Sequence, residues 1–323
     1  MLQFVTRRTA LRVVFMGTPE FGIAALEQLV NNEYEVAAVY THPDSVAGRG
    51  RSQAPPPVKR TSLTYGLPVM QPVKLGVTEV IAEIARLRPD IIVVAAYAQK
   101  LPKAVLDIPI FGCVNIHPSL LPQHRGVSPV PAAILSGDSF TGVSVMLMDE
   151  GWDTGPVLSR AQVPILKRDT TGSLMGKLSL IGAQLLLDVL PQLVGGKRVP
   201  QPQDEENATY SGLIRKEDGE IDWHQSAVDI WRQVRAYQPW PGCYTRWRGR
   251  QLKILEAVPL DEHSTGEVGQ VVTPGRRDVA FVVSSGDGTL GVLEVQLEGK
   301  RAMPAAEFLR GQRDWAGMVL PSK

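Results

Sequence analysis

Cysteine is nearly absent: only Cys113 and Cys243 occur among 323 residues, far apart and in no ligand-like spacing. This excludes a disulfide framework, and neither cysteine belongs to a pattern that would hold zinc, so no metal site is expected. Net charge is also small, with 34 Lys and Arg against 33 Asp and Glu. No global field draws the chain to nucleic acid, and any RNA contact has to come from local patches. No apolar stretch is expected to approach membrane-spanning length, and the run Val13–Met16 is too short for the core of a signal peptide. Met1–Arg12 carries Arg and Thr without an acid, as organellar presequences do. Its closeness to the first strand reads instead as a short cytoplasmic extension, and a cytoplasmic location is expected. The Gly-x-Gly-x-x-Gly fingerprint is missing as well: Gly17-Thr18-Pro19 has the wrong spacing, and Gly48-Arg49-Gly50 does not lead from a strand directly into a helix. Nicotinamide dinucleotide binding is therefore rejected.

What is present is an alternation of strands and helices. Arg12–Met16, Glu35–Tyr40, Asp90–Ala96 and Cys113–His117 read as buried strands, with helical spacing over Phe21–Val30 and Val80–Leu87 between them. That pattern predicts an α/β fold with a doubly wound, Rossmann-like sheet. Gly142–Met148 alternates as a further strand, Gly155–Ile165 follows it, and Leu174–Val194 is a long helix ending at Gly195-Gly196. The length favours two domains. Residues 1–196 form the first, and Lys197–Tyr210, polar and aperiodic, reads as a surface linker. Residues 211–323 form the second, with a helix over Ala227–Tyr237 and short strands at Leu252–Ala257, Val268–Val272, Val279–Val283 and Gly291–Gln296. Short strands broken by Gly, Pro and Asp turns suggest a small barrel.

The chemistry concentrates at one place. In Phe111-Gly112-Cys113-Val114-Asn115-Ile116-His117, alternate side chains share a face, which sets Asn115 beside His117. Asp153 follows in the turn Gly151-Trp152-Asp153-Thr154-Gly155. An amide donor, an imidazole and a carboxylate to charge that imidazole are what acyl transfer to an amine requires. Taken singly, each has a plain structural reading: a satisfied buried histidine, an asparagine tying down a turn, an aspartate in a glycine-rich turn.

The block as a whole resembles the formyltransferases that use 10-formyltetrahydrofolate. The matching features are Asn115-x-His117, Ser119-Leu120-Leu121-Pro122, Arg125-Gly126, Pro129, Gly137, Thr141-Gly142 and Asp153-Thr154-Gly155. Val14 to Phe21, Ala47 to Arg51, Pro57-Val58-Lys59, Tyr97 to Pro102 and Arg235 to Gly242 extend the likeness over nearly the whole chain. The resemblance implies Asn115, His117 and Asp153 as catalytic residues. It also implies a reduced-folate pocket lined partly by Ser119, Leu120, Leu121 and Pro122, and an OB-like barrel in the second domain. The acceptor it implies is the α-amino group of methionine on charged initiator tRNA, formylated directly without a serine or cysteine acyl-enzyme. Amino-sugar-nucleotide formyltransferases and formyltetrahydrofolate hydrolases share the catalytic block; the C-terminal part narrows the choice. Pro118 and Gln123-His124 depart from the common pattern, and His124 is expected on the rim of the folate pocket.

Two acid-free stretches are candidates for RNA. Residues 45–78 carry Arg49, Arg51 and Lys59 in a Gly-, Pro- and Ser-rich loop, which either grips an acceptor stem or is simply solvated. Residues 231–255 interleave arginines with aromatics. There Arg246, Arg248 and Arg250 alternate and are expected to share one solvent face of a strand, while Trp231 and Tyr237 pack inward.

Overall fold

A computed structural model describes residues 10–47, 52–260, 266–273, 279–312 and 315–322. It divides into two compact units. The first comprises the described residues up to Pro129, Phe140–Pro164 and Met175–Ser211, and the second Val130–Ser139, Ile165–Leu174 and the chain from Gly212 onward.

The first unit is built on seven strands: β1 (Arg12–Gly17), β2 (Glu35–Tyr40), β3 (Val69–Met70), β4 (Ile91–Ala95), β5 (Cys113–His117), β6 (Phe140–Leu147) and β7 (Val157–Pro164). Their order is β7-β6-β5-β4-β1-β2-β3. Strands β1 to β5 pair in parallel, and β6 and β7 add antiparallel to the edge beside β5. Both faces of the parallel part are covered, so β4 and β5 are buried at every residue and show no polar alternation outside the functional positions. The order turns back between β1 and β4, and in such sheets ligands bind beyond the carboxyl ends of the strands. His117 is the last residue of β5.

The helix Thr171–Val194 has 24 residues and, by length and composition alone, is long and apolar enough to cross a membrane. This corrects the expectation that no stretch comes near that length. In the first unit the helix buries Leu178, Ala183, Leu186, Val189 and Leu190. Gly182 meets the sheet so closely that a Cβ there would lie 2.6 Å from Ile116 Cγ2 and 3.0 Å from Val143 Cγ2. Ile116 sits between Asn115 and His117 in β5 and faces the opposite side of the sheet, so the helix backs the strand that carries the site.

Residues 197–210, polar and mostly exposed, are stitched into the same unit. Gln201 bridges Val157, and Tyr210–Ser211 pairs in parallel with Arg125–Gly126. The close approach explains Gly126: its φ is +101°, and a Cβ would lie 2.7 Å from the Ser211 carbonyl oxygen.

The second unit holds β8 (Cys243–Trp247), β9 (Arg250–Leu260), β10 (Val271–Val272), β11 (Phe281–Ser284) and β12 (Thr289–Leu297). They form an antiparallel sheet ordered β8-β9-β12-β11-β10, with Met303–Pro304 pairing β12. The sheet curls into an OB-like half-barrel around an aromatic centre. Trp315 meets Trp247, Phe281 and Phe308 edge-on at 5.6, 5.1 and 5.1 Å between ring centroids, the arrangement that aligns ring edges with neighbouring faces. The helix Ala227–Ala236 is capped by Ser226, whose Oγ accepts from the Asp229 amide at 3.1 Å, and contributes Ile230 and Val234 to this core.

Candidate active site

The structure brings Asn115, His117 and Asp153 together. Strand alternation puts Asn115 and His117 on one face of β5, and Asp153 reaches them from the turn between β6 and β7. Asn115 Nδ2 donates to Asp153 Oδ1 at 3.3 Å. His117 Nδ1 lies 3.6 Å from Asp153 Oδ2, and that oxygen also accepts the Gly126 amide at 2.9 Å. Asp153 therefore bridges the amide and the imidazole while anchored to a backbone N–H from the turn after β5. Its own backbone is left-handed, φ +55°, a conformation uncommon in non-glycine residues and met most often at Asn and Asp.

His117 Nε2 lies 3.1 Å from the His124 carbonyl oxygen. A carbonyl only accepts, so Nε2 carries the proton and the neutral ring presents an unprotonated Nδ1 toward Asp153. Burial of the ring, 4 % exposed, pushes its pKa below the ordinary 6.5, with Asp153 and the His124 carbonyl pulling the other way. The resting ring is neutral, with a carboxylate placed to receive the charge when it takes a proton. His124 acts here through its main chain.

The segment Ser119–Pro122 is a tight turn beyond β5 with a cis Leu121–Pro122 bond. Ser119 Oγ donates to the Gln123 carbonyl at 2.6 Å, and Ser144 Oγ ties both Ser119 O (2.7 Å) and Leu121 N (3.1 Å) to β6. Ser119 is fully buried and its hydroxyl is engaged within the turn, so it is placed as a structural residue. Leu121 packs with Met146 and Val157. Cys113, two positions before Asn115, is buried and its thiol is pushed up to about 12, which keeps it protonated and without nucleophilic character.

The charged residues singled out for RNA are placed differently. Arg49 and Arg51 lie outside the described residues, between the paired strands Ser45–Ala47 and Ser52–Ala54. Lys59 Nζ is bound to Asp44 at 2.8 Å and to Gln71 at 2.7 Å. The expectation that Arg246, Arg248 and Arg250 share one strand face is overturned. Trp247 pairs with Arg250 and Arg246 with Gln251, so Arg248-Gly249 is a two-residue hairpin turn, with φ +48° and +75°. Such a turn fits the twist of the strands it joins and requires positive φ at both positions. Arg246 and Arg250 consequently sit on opposite faces. Arg246 Nε donates to Glu220 at 3.1 Å, Arg248 lies over the Trp247 ring, and Arg250 donates to the Glu298 carbonyl. Arg235, in the same acid-free stretch, is buried, stacked on Trp231 at 3.8 Å and bonded to the Leu166 and Asp169 carbonyls.

Sequence reasoning passed over the Gly126 amide and the His124 carbonyl. Both are main-chain groups of the turn after β5, and a side-chain pattern carries no signal for them.

The fold and the grouping of Asn115, His117 and Asp153 fit a group-transfer enzyme, and the comparisons supply the family. A family model described as formyl transferase matches residues 11–190, and one described as formyl transferase, C-terminal domain, matches residues 213–313. Solved structures with the same fold include a HypX from Aquifex aeolicus in complex with tetrahydrofolic acid, 21% identical with a TM-score of 0.63 over 93% of this chain and 47% of that one. The chain thus spans about half the length of that protein. Another is WlaRD, a sugar 3N-formyl transferase, 16% identical with a TM-score of 0.65 over 91% of this chain and 100% of that one. Curated relatives are much nearer in sequence. A methionyl-tRNA formyltransferase of Dehalococcoides mccartyi is 48% identical over 96% of this chain and 98% of the relative. One from Citrifermentans bemidjiense is 43% identical over 98% of each. The chain belongs to the methionyl-tRNA formyltransferase family.

Proposed function

We infer that this chain transfers the formyl group of 10-formyltetrahydrofolate to the α-amino group of methionine on charged initiator tRNA. The observation that carries the reading is Asp153 set between Asn115 Nδ2 and His117 Nδ1 at the carboxyl end of β5, in a chain whose relatives of similar length are methionyl-tRNA formyltransferases. The sugar-modifying neighbour stands at 16% identity, a distance at which only the fold is shared.

The donor set fits transfer from nitrogen to nitrogen. The folate co-substrate supplies an activated formyl group, and Ser119, Leu120, Leu121 and Pro122 are proposed to line part of its pocket. One of the two Asn115 amide hydrogens is engaged with Asp153, and the other is proposed to donate to the formyl oxygen. As the amine nitrogen bonds to the formyl carbon, that oxygen gains negative charge and Asn115 donates to it. His117 takes the amine proton at Nδ1, becoming an imidazolium opposite Asp153, and returns it to the departing folate nitrogen as the old C–N bond breaks. The α-amino group of an aminoacyl ester is more acidic than a lysine ammonium, and so reaches the neutral, attacking form near pH 7. Arg49, Arg51 and Lys59, and the hairpin arginines Arg246, Arg248 and Arg250, are proposed contacts to tRNA phosphates, which position without reading sequence.

Incubation with 10-formyltetrahydrofolate plus charged initiator tRNA, an amino sugar nucleotide, or buffer alone tests the reading. Formylmethionyl-tRNA and tetrahydrofolate should form together only in the first. Release of formate in buffer at the same rate would make the protein a hydrolase, and a formylated sugar would make it a sugar enzyme.

A further inference from the structure

The segment 197–210 does more than connect. Gln203 Nε2 donates to the Asp153 carbonyl at 2.7 Å and to the Gly155 carbonyl at 2.7 Å, holding the left-handed centre and the last residue of the turn Gly151–Gly155. Its Oε1 accepts from Arg125 Nε at 3.0 Å. A guanidinium only donates, so the orientation of the Gln203 amide is determined. Arg125 is in turn immobilised. It has no exposed surface, its Nη1 donates to Glu205 and the Tyr210 hydroxyl, both at 2.9 Å, and its Nη2 donates to Glu205 at 2.6 Å. The next residue, Gly126, donates its amide to the Asp153 carboxylate. The Asp153 main chain and side chain are thus held by one connected set of bonds.

We propose that Gln203 is a positioning residue for the transfer reaction: by clamping the Asp153 and Gly155 carbonyls, and being itself fixed by Arg125 and Glu205, it keeps the Asp153 carboxylate between Asn115 and His117. The proposal rests on the site reading given above. Replacing Gln203 with methionine keeps the side-chain length and removes both donors. The Asp153 peptide is then free to leave the left-handed conformation, and the carboxylate leaves with it.

The test measures kcat, both KM values and the NMR titration of the His117 ring in Gln203→Met and in the wild type. The expected result is a kcat lower by roughly tenfold to a hundredfold, the cost of misplacing a catalytic group by about an ångström. Both KM values stay within about twofold, because ground-state binding is untouched. The His117 titration moves to lower pH, since a carboxylate that has withdrawn no longer stabilises the imidazolium. Unchanged kcat with an unchanged titration overturns the proposal. A lower kcat with an unmoved titration overturns it too, because that is the mark of a general packing defect. Where circular dichroism shows Gln203→Met unfolded, Glu205→Gln decides, its site being exposed. A kcat lower by roughly threefold to tenfold with a shifted titration supports the chain of bonds, and wild-type values refute it. The ring titration needs no substrate, so a wild-type protein inactive on charged tRNA would overturn the functional reading while leaving the Gln203 proposal decidable.

Discussion

Gly182 and Gly176 lie in the same helix, and the same substitution at each should have opposite effects. A Cβ at Gly176 meets nothing within 4 Å, whereas at Gly182 it would stand 2.6 Å from Ile116 Cγ2 and 3.0 Å from Val143 Cγ2. Carbon atoms in contact prefer about 3.5–4.0 Å, so the overlap at Ile116 is about 1 Å. Both variants gain about 0.8–1.0 kcal/mol of helix propensity. Overpacking costs about 1–3 kcal/mol, and β-branched Ile116 and Val143 have few rotamers into which to retreat. Gly176→Ala should therefore be stabilised by about 1 kcal/mol, and Gly182→Ala should lie about 1–3 kcal/mol below it. If the strand yields, it moves Asn115 and His117, and kcat should fall by roughly tenfold. The choice of probe matters, because five of the six tryptophans lie from Trp223 onward and intrinsic fluorescence would report the second unit. Hydrogen exchange of the Cys113–His117 amides in low urea follows the strand in question. Equal protection and equal kcat in the two variants would refute the claim that the helix sets the position of β5.

The parallel core was legible because buried strands leave a simple trace. Glu35–Tyr40 and Cys113–His117 are observed with the predicted bounds, the first largely apolar and the second apolar except at Asn115 and His117. The pairing of Asn115 with His117 followed from alternation alone, whereas Asp153 was singled out by the likeness of the whole block to formyltransferases, its glycine-flanked turn by itself having a plain structural reading. What was not legible depends on partners distant in sequence or on the main chain. The aperiodic stretch 197–210 read as a linker because nothing in its composition signals that Tyr210 pairs with Arg125 across more than eighty intervening positions. Arg246, Arg248 and Arg250 misled for a different reason: alternation is the same in a strand and across a two-residue turn, and only Gly249, with its positive φ, marked the reversal. The membrane expectation missed Thr171–Val194 because Lys177 and Asp188 break the apolar run in the written sequence while the helix remains apolar on average.

Three further outcomes are expected. Asn115→Ala and His117→Ala should each lower turnover by about a hundredfold or more with folate affinity retained, as measured by single-turnover formylation and equilibrium binding. Replacing both Arg49 and Arg51 with alanine should raise the tRNA KM and flatten its salt dependence without altering folate affinity; unchanged tRNA kinetics across a salt series would show these arginines to be merely solvated. The last concerns pH. Burial holds the His117 ring below its ordinary 6.5 in the folded chain, so between that value and the lower folded one the unfolded chain binds more protons. Stability is accordingly complete above the unfolded imidazole value and is lost as pH falls through the folded one. Asp153 opposes the burial effect, so Asp153→Asn should deepen the acid loss, and His117→Asn should remove the part due to this ring. Other histidines and the carboxylates titrate in every variant, and the difference between wild type and His117→Asn isolates the one group. The same proton governs catalysis: Nδ1 must be free to take the amine proton, so kcat should decline on the acid side over that window, with Asp153→Asn carrying the decline to lower pH. Urea midpoints and kcat measured across an acidic pH series check both consequences. Parallel pH curves for wild type and His117→Asn would show that the ring is not held neutral by burial.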